Sequence, residues 1–409
     1  MNNFFVLGFG LFIAFINLGN PLIIPTFNVT VFLYLFFFLT FIYFIYSKIS
    51  SGRISKIETA CIIMLSTFFP SVFLSEFFEV ALFKFIIFSM GILGMCTFFE
   101  KFRRTPSYYK EKVFKNLISF QRIILVASLL ILIAGLGYPR NPTGFAGILS
   151  HPQSFGVLIT FIGIIEFYIF LSSKKIIKPS LYLVLAIFLM VLTESRTALL
   201  SFFFTALYLV FNAIVNLKIH KSRISTIKVS AIFIGSIAFV PLLLDEISIF
   251  LIKNANTFLV LEALERGRGS FVYASAQNFF ENPFFGIGFQ ISNGLYGHYP
   301  MIIETEPYFG LPISASIEKG VFIAGAIEEV GLIGFLGFVF FIFSNYQKGG
   351  RSTFGSCLII GALLISFGEA AFFSLGGVGF IKWWMIFFGY SAGSLIDRNY
   401  SSILNVDHE

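Results

Sequence analysis

Apolar stretches of about twenty residues recur along this chain, and short polar segments separate them. A stretch of this length crosses the hydrocarbon core of a bilayer as one helix. The pattern therefore predicts an all-α polytopic membrane protein with about twelve transmembrane helices. The predicted spans lie at approximately 3–20, 28–46, 57–75, 80–99, 117–136, 154–171, 180–193, 197–216, 229–244, 320–343, 353–373 and 379–396.

One polar interruption is much longer than the others and falls between predicted spans nine and ten. We interpret it as a long extracytoplasmic loop with two short helices. The first is amphipathic, from Asp245 to Glu265, and the second runs from Ser270 to Asn282 and is ended by Pro283. The chain then has four parts: 1–116 with helices one to four, 117–244 with helices five to nine, the loop at 245–319, and 320–409 with helices ten to twelve and a short tail.

Basic residues indicate the orientation. Clusters such as Lys48, Arg53 and Lys56 fall in alternate loops, and the positive-inside rule places these loops and both termini in the cytoplasm. The same rule accounts for the net charge of +7, so we expect no nucleic-acid partner. Only 12% of the residues are charged, against about 25% in a soluble domain, which favours the membrane class.

Metal chemistry has little support in the sequence. The three cysteines lie in apolar segments, at spacings that suit neither a metal site nor a disulfide framework. Aspartate occurs only at Asp245, Asp397 and Asp407, so the sequence has no Asp-x-Asp pair that could hold a divalent ion between phosphates. We therefore expect no metal and no cofactor.

Several cations fall on the predicted outer side, where the positive-inside rule does not favour them. Pairing with nearby glutamates or with lipid phosphate could explain any one of them. For the group, an anionic ligand at the outer membrane face is the better explanation, because the planar guanidinium group of Arg can bind phosphate oxygens bidentately. These residues are Arg140, Arg196, Arg266, Arg268 and Lys319.

Two adjacent carboxylates, Glu328 and Glu329, lie about two turns inside predicted span ten. A carboxylate at that depth is costly, so it should face the protein interior or a water-filled cavity. Adjacent helix residues point about 100° apart, so the two cannot line one site equally. A buried structural Arg–Glu pair is the alternative explanation.

His151 precedes predicted span six, at the same predicted side as the arginines. Pro152 biases His151 toward extended geometry, and Ser154 could cap the following helix. A single loop histidine is more often incidental than functional, but its place at a helix entrance makes it a candidate.

Three stretches occur on the predicted outer side in a fixed order. They read Ile148-Leu-Ser-His151-Pro-Gln-Ser-Phe-Gly156, then Glu194-Ser-Arg196-Thr-Ala-Leu-Leu, then a series from Arg268 through Glu281-Asn-Pro-Phe-Phe-Gly286-Ile-Gly288-Phe to Glu328-Glu-Val-Gly331-Leu-Ile-Gly334. Together they resemble the O-antigen ligase/polymerase superfamily of bacterial polysaccharide assembly. Each motif alone is weak, and the match depends on their order and common side.

The resemblance implies a metal-independent, inverting glycosyltransferase in the bacterial cytoplasmic (inner) membrane. Its donor is an undecaprenyl-diphosphate-linked oligosaccharide, and Arg196 and Arg268 match the diphosphate-binding positions. Membrane lipid, and the chain-length regulator and flippase of the same pathway, are the other implied partners. The catalytic candidates are Arg196, Arg268, Glu328, Glu318 and His151, and the substrate-binding candidates are Arg140, Arg266, Glu329 and Lys319.

One departure from the family bears on the reaction. Its ligases carry a histidine near the outer end of the span after the long loop, whereas this chain reads Ser314-Ala-Ser-Ile-Glu318-Lys-Gly320. This favours a polymerase of O-antigen, capsule or exopolysaccharide over a ligase that acts on a lipid or protein, and it leaves the general base open. The alternative outside enzymes is a lipid-linked saccharide flippase or transporter, which should show charges in several helices along a central path.

Overall fold

The computed structural model describes residues 18–22, 30–139, 144–173, 176–216, 268–291, 304–305, 310, 312–314, 321–348, 352–368 and 372–403. These residues form eleven α-helices and one short two-stranded antiparallel ribbon. The helices are α1 (Thr30–Ser51), α2 (Lys56–Phe73), α3 (Phe78–Arg103), α4 (Ser107–Ile133), α5 (Pro152–Ser172), α6 (Ile177–Leu192), α7 (Arg196–Asn216), α8 (Arg268–Glu281), α9 (Phe322–Lys348), α10 (Thr353–Ser366) and α11 (Val378–Ile403), and the strands are β1 (Glu304–Thr305) and β2 (Pro312–Ser314).

The predicted helical membrane class agrees with these elements. Among the described residues, seven helices are long and apolar enough to cross a membrane: α1, α2, α3, α4, α5, α7 and α9. Two more, α6 and α10, are apolar but shorter. Predicted span nine, the predicted helix from Asp245 to Glu265 and all but the last three residues of predicted span one lie outside the described residues, so the number of twelve spans and the extent of the long loop stay predictions.

Two helix ends differ from the predicted spans. α4 starts at Ser107, so this helix extends about ten residues before the apolar stretch predicted from 117. The span predicted to reach 373 ends as α10 at Ser366. Beyond it the chain is non-helical from Phe372 to Gly377, and the Phe372 carbonyl accepts a hydrogen bond from the indole N–H of Trp383 at 2.7 Å.

The helices pack as a bundle in which sequence neighbours are often not the closest partners. α9 packs mainly on α2, α10 on α11, α1 on α3, and α5 on both α6 and α7. Aromatic rings fill much of the interior between them. Phe289, from the segment after α8, has its ring centroid within 6 Å of those of Phe68, Phe88 and Phe373. A segment from the predicted loop is thus anchored inside the bundle.

At the predicted cytoplasmic end, four carboxylates join neighbouring helices. Each lies within about two turns of a helix end on the predicted cytoplasmic side. Glu166 on α5 accepts hydrogen bonds from Nε of Arg122 at 2.8 Å, from a terminal nitrogen of the same residue at 3.0 Å, and from Gln121 at 3.0 Å, both residues on α4. The four residues are Glu58, Glu100, Glu166 and Asp397.

The other three carboxylates make similar contacts. Glu58 on α2 accepts from Lys48 on α1 and Thr97 on α3. Glu100 accepts hydrogen bonds from Arg103 at the end of its own helix, from the C-cap residue Arg104 and from the hydroxyl of Tyr390 on α11. Asp397 on α11 accepts from Tyr168 on α5 and from two backbone N–H groups at the start of α10. Each group therefore joins one helix to another at the predicted cytoplasmic end of the bundle.

Candidate functional site

The helix that carries Glu328 and Glu329 is broken immediately after them. Gly331 has φ 64° and ψ −172°, which lies outside the helical region and in one that non-glycine residues rarely adopt. In an unbroken helix, the N–H groups of Leu332 and Ile333 would bind the carbonyl oxygens of Glu328 and Glu329. The sequence predicted a continuous span here, and the break is a correction to that prediction.

The segment after α8 replaces both lost hydrogen bonds. The carbonyl oxygens of Glu328 and Glu329 accept from the N–H groups of Ile287 and Gly288, at 2.9 and 3.1 Å. On the other side of the break, the N–H groups of Leu332 and Ile333 donate to the carbonyl oxygens of Pro283 and Phe284, at 2.9 and 3.1 Å. All four backbone groups that the break releases therefore have a partner, as an apolar environment demands. We call residues 283–288 the docking loop.

Glycine is required on both sides of this contact. A Cβ on Gly331 would lie 2.4 Å from the backbone of Phe284, and a Cβ on Gly286 would lie 2.5 Å from the carbonyl oxygen of Glu328. Real Cβ atoms do not approach backbone atoms so closely, and both glycines also have positive φ. Two of the motifs that suggested the family, the Asn-Pro-Phe-Phe-Gly-Ile-Gly series and the Glu-Glu-Val-Gly series, are thus the two halves of one backbone contact.

Glu328 is buried, with 1% of its surface exposed, and points toward α8. One carboxylate oxygen accepts from the hydroxyl of Ser275 at 3.0 Å, and the other accepts from the amide nitrogen of Asn278 at 2.6 Å. Ser275 and Asn278 are three residues apart, so they occupy one face of α8. Arg268 is the first residue of α8, seven residues or about two turns before Ser275, so the two positions lie on the same face of the helix.

Glu329 is also buried but contacts a different element. Its carboxylate accepts from the backbone N–H of Gln290 at 2.9 Å. The Gln290 side chain donates to the carbonyl oxygen of Phe373, and Lys84 on α3 donates to the carbonyl oxygen of Gln290 at 3.2 Å. The two adjacent carboxylates therefore contact different elements: Glu328 contacts α8 and Glu329 contacts the segment after the docking loop.

Arg196 and His151 begin neighbouring helices. Arg196 is the first residue of α7, and His151 is the N-cap of α5, with extended backbone geometry as expected before Pro152. Nδ1 of His151 accepts from the backbone N–H of Gln153 at 3.3 Å. The predicted capping role of Ser154 is wrong, because the helix already begins at Pro152 and His151 occupies the cap.

The two helix starts lie at one end of the bundle. A Cβ on Gly156 of α5 would lie 2.8 Å from the side chain of Ser195, the residue before Arg196. Ser150, just before His151, donates its backbone N–H to Leu18, and Leu18 lies against Gly377. Residues 372–377 in turn accept the Gln290 hydrogen bond, so a chain of contacts links the Arg196 and His151 group to the Glu329 group.

Four predicted site residues lie outside the described residues: Arg140, Arg266, Glu318 and Lys319. The helix α8 begins at Arg268, two residues before the predicted start at Ser270, and this difference is within the usual accuracy of a predicted helix boundary. Ser275, Asn278 and Gln290, which bind the two carboxylates, were not found from the sequence. The sequence shows these three only as polar residues, and nothing in it indicates that they contact the buried glutamates.

Comparison with models of known protein families gives no match, and comparison with curated proteins gives none either. The resemblance stated above therefore stays a prediction. Any functional conclusion depends on the chemistry of the groups at the predicted outer end of the bundle.

Proposed function

We propose that this protein is a membrane-embedded glycosyltransferase that polymerises saccharide units from a lipid-diphosphate-linked donor at the outer face of the membrane. The observation that carries the proposal is the contact between α8, which begins at Arg268, and the buried Glu328 on the broken helix α9. It fixes a short helix, with a cationic residue at its start, against the bundle. A carboxylate is costly to bury, and in this position it suggests a functional constraint.

Arg196 and Arg268 are each the first residue of a helix. The backbone N–H groups of a first turn have no partners within the helix, and the helix dipole favours an anion there. A guanidinium group at such a position adds a bidentate donor for phosphate oxygens. In the proposed mechanism, these two groups bind the lipid diphosphate and stabilise the negative charge that develops as the glycosidic bond breaks.

The acceptor sugar hydroxyl must lose a proton as it attacks. Candidates for taking that proton are Glu328, Glu318 and His151. Arg140, Arg266, Glu329 and Lys319 are proposed to contribute to binding of the saccharide and the diphosphate. The partners of the proposal are the undecaprenyl-diphosphate-linked oligosaccharide and the surrounding lipid, together with the chain-length regulator and flippase that serve the same pathway.

The decisive experiment compares surface glycan from a deletion strain complemented with variants. Arg196→Ala and Arg268→Ala should abolish long chains without lowering the amount of protein in the membrane. A matched control is Arg104→Ala, which removes an exposed arginine at the opposite end of the bundle, where Arg103 still binds Glu100. Full-length polymer in the Arg196→Ala strain would refute the assignment.

The deletion strain itself separates the related functions. Retention of a single repeat unit with loss of longer chains indicates a polymerase. Lipid-linked polymer that never reaches its carrier indicates a ligase instead.

A transporter of lipid-linked saccharide is the second candidate, and one observation favours it. Buried ion pairs join several helices, including Arg122 with Glu166 and Lys48 with Glu58. Charges in several helices are expected of a transport path. These pairs lie toward the predicted cytoplasmic end, however, and each closes a contact between adjacent helices. Accumulation of single lipid-linked units in the inner leaflet of the deletion strain would support transport over polymerisation.

A further inference from the structure

The contact between Glu328 and α8 has a geometry that suggests a specific role. Both carboxylate oxygens accept hydrogen bonds, one from the Ser275 hydroxyl and one from the Asn278 amide. Both donors belong to one face of one helix. Ser275 is buried as well, with 3% of its surface exposed, so the contact is part of the packed interior and not a loose surface pair.

The C-terminal end of α8 is a first attachment to the bundle. The helix ends at Glu281 and continues directly into the docking loop, which is bound to the break in α9 by four backbone hydrogen bonds. Glu328 supplies a second attachment, near the middle of α8. Two attachments fix the direction of a helix, whereas one leaves it free to pivot. The start of α8 lies about 10 Å beyond Ser275, so a small rotation there displaces residue 268 by several ångströms.

We propose that Glu328 is a positioning residue, which holds α8 and therefore Arg268 in place for the lipid diphosphate, and that it does not itself accept the proton of the acceptor sugar. The inference rests on the proposed function for its mechanistic part. It narrows the candidates for proton acceptor to Glu318 and His151.

Exchange of the two interacting groups tests this directly. Asn278→Asp places two carboxylates against each other and should disrupt the contact. The double variant Glu328→Gln/Asn278→Asp restores an amide–carboxylate pair with the carboxylate on the other helix. If Glu328 acts only by position, polymer synthesis should fall about 100-fold in Asn278→Asp and return to within about threefold of wild type in the double variant, since a misplacement near 1 Å can cost this much.

A second readout does not depend on activity. Hydrogen exchange of the backbone amides between residues 269 and 281 should rise in Asn278→Asp and return to the wild-type rate in the double variant, because it reports whether α8 is held. A matched control is Asn116→Asp, which adds the same charge at an exposed position of α4 and should change neither polymer synthesis nor exchange in α8. All variants are compared after size-exclusion chromatography confirms a folded, monodisperse protein.

The outcomes separate the positioning role from the proposed function. Recovery of both activity and exchange in the double variant supports the positioning role. A double variant with wild-type exchange but no polymer overturns it, because Glu328 would then be needed for chemistry. Unchanged exchange in Asn278→Asp also overturns it. A last outcome is that hydrogen exchange in α8 rises in Asn278→Asp and recovers in the double variant, but the wild-type protein synthesises no glycan. That result supports the attachment of α8 by Glu328 and refutes the proposed function.

Discussion

The backbone contact at Gly331 yields the sharpest quantitative prediction. Gly331→Ala should destabilise the protein far more than an alanine at another glycine with positive φ. With φ 64° and ψ −172°, Gly331 lies in a backbone region that essentially only glycine adopts, so an alanine there costs about 1–3 kcal/mol in backbone strain. At Gly331 the new methyl group also lies 2.4 Å from the backbone of Phe284, which cannot move aside as a flexible side chain could.

Displacement of the docking loop would weaken four backbone hydrogen bonds. At about 0.5–1.5 kcal/mol each, their loss amounts to about 2–6 kcal/mol. Adding the conformational cost gives a total of about 3–9 kcal/mol for Gly331→Ala. The matched control is Gly135→Ala, because Gly135 has a φ of 71° and a Cβ added there would meet no described atom within 4 Å. Only the conformational cost of about 1–2 kcal/mol applies there.

In the assay, each purified variant is heated in the same detergent, and the fraction that remains monodisperse is measured by size-exclusion chromatography at each temperature. Gly286→Ala should resemble Gly331→Ala, because its Cβ would meet the other side of the same contact. The double variant should lose less than the sum of the single losses, since either change alone displaces the docking loop. An equal apparent melting temperature for Gly331→Ala and Gly135→Ala would refute the reasoning.

Three further predictions concern other contacts. Arg122→Ala leaves the buried carboxylate of Glu166 without its ion pair and should cost about 3–5 kcal/mol, measured by the same unfolding assay; Arg122→Met with Glu166→Met should recover much of that loss. His151→Ala should cost about 0.5–2 kcal/mol through loss of the helix cap, whereas His151→Asn keeps a capping oxygen; wild-type glycan in the His151→Asn strain would exclude this residue as the proton acceptor. Tyr168→Phe removes the hydroxyl that donates to Asp397 and should cost about 1 kcal/mol, and no change in melting temperature would show that this contact does not stabilise the bundle.

Hydropathy predicted the helical membrane class because span length depends only on local composition. The short helix after residue 268 was also predicted closely, since Pro283 ends it through a local effect. The number of spans and the roles of the arginines stay predictions. What local patterns show is where the chain can form helices, not which of these helices meet.

Local sequence patterns could not predict the contacts at the candidate site. The break at Gly331 becomes stable only because the docking loop, far away in sequence, supplies partners for the released backbone groups. Glu58 and Glu166 lie in apolar stretches of the sequence, and their partners come from other helices. Non-local pairing of this kind leaves no periodic signal, although a glutamate in an apolar span does indicate that some partner exists.

The interrupted helix α9 also implies an order of assembly. In hydrocarbon, each backbone group without a partner costs several kcal/mol, so α9 is a poor candidate for independent insertion. Its partners are synthesised before it, which means that a template for its two halves exists when it leaves the ribosome. We therefore expect the two halves of α9 to insert inefficiently in a variant whose docking loop is deleted, even though the apolar sequence of α9 itself is unchanged.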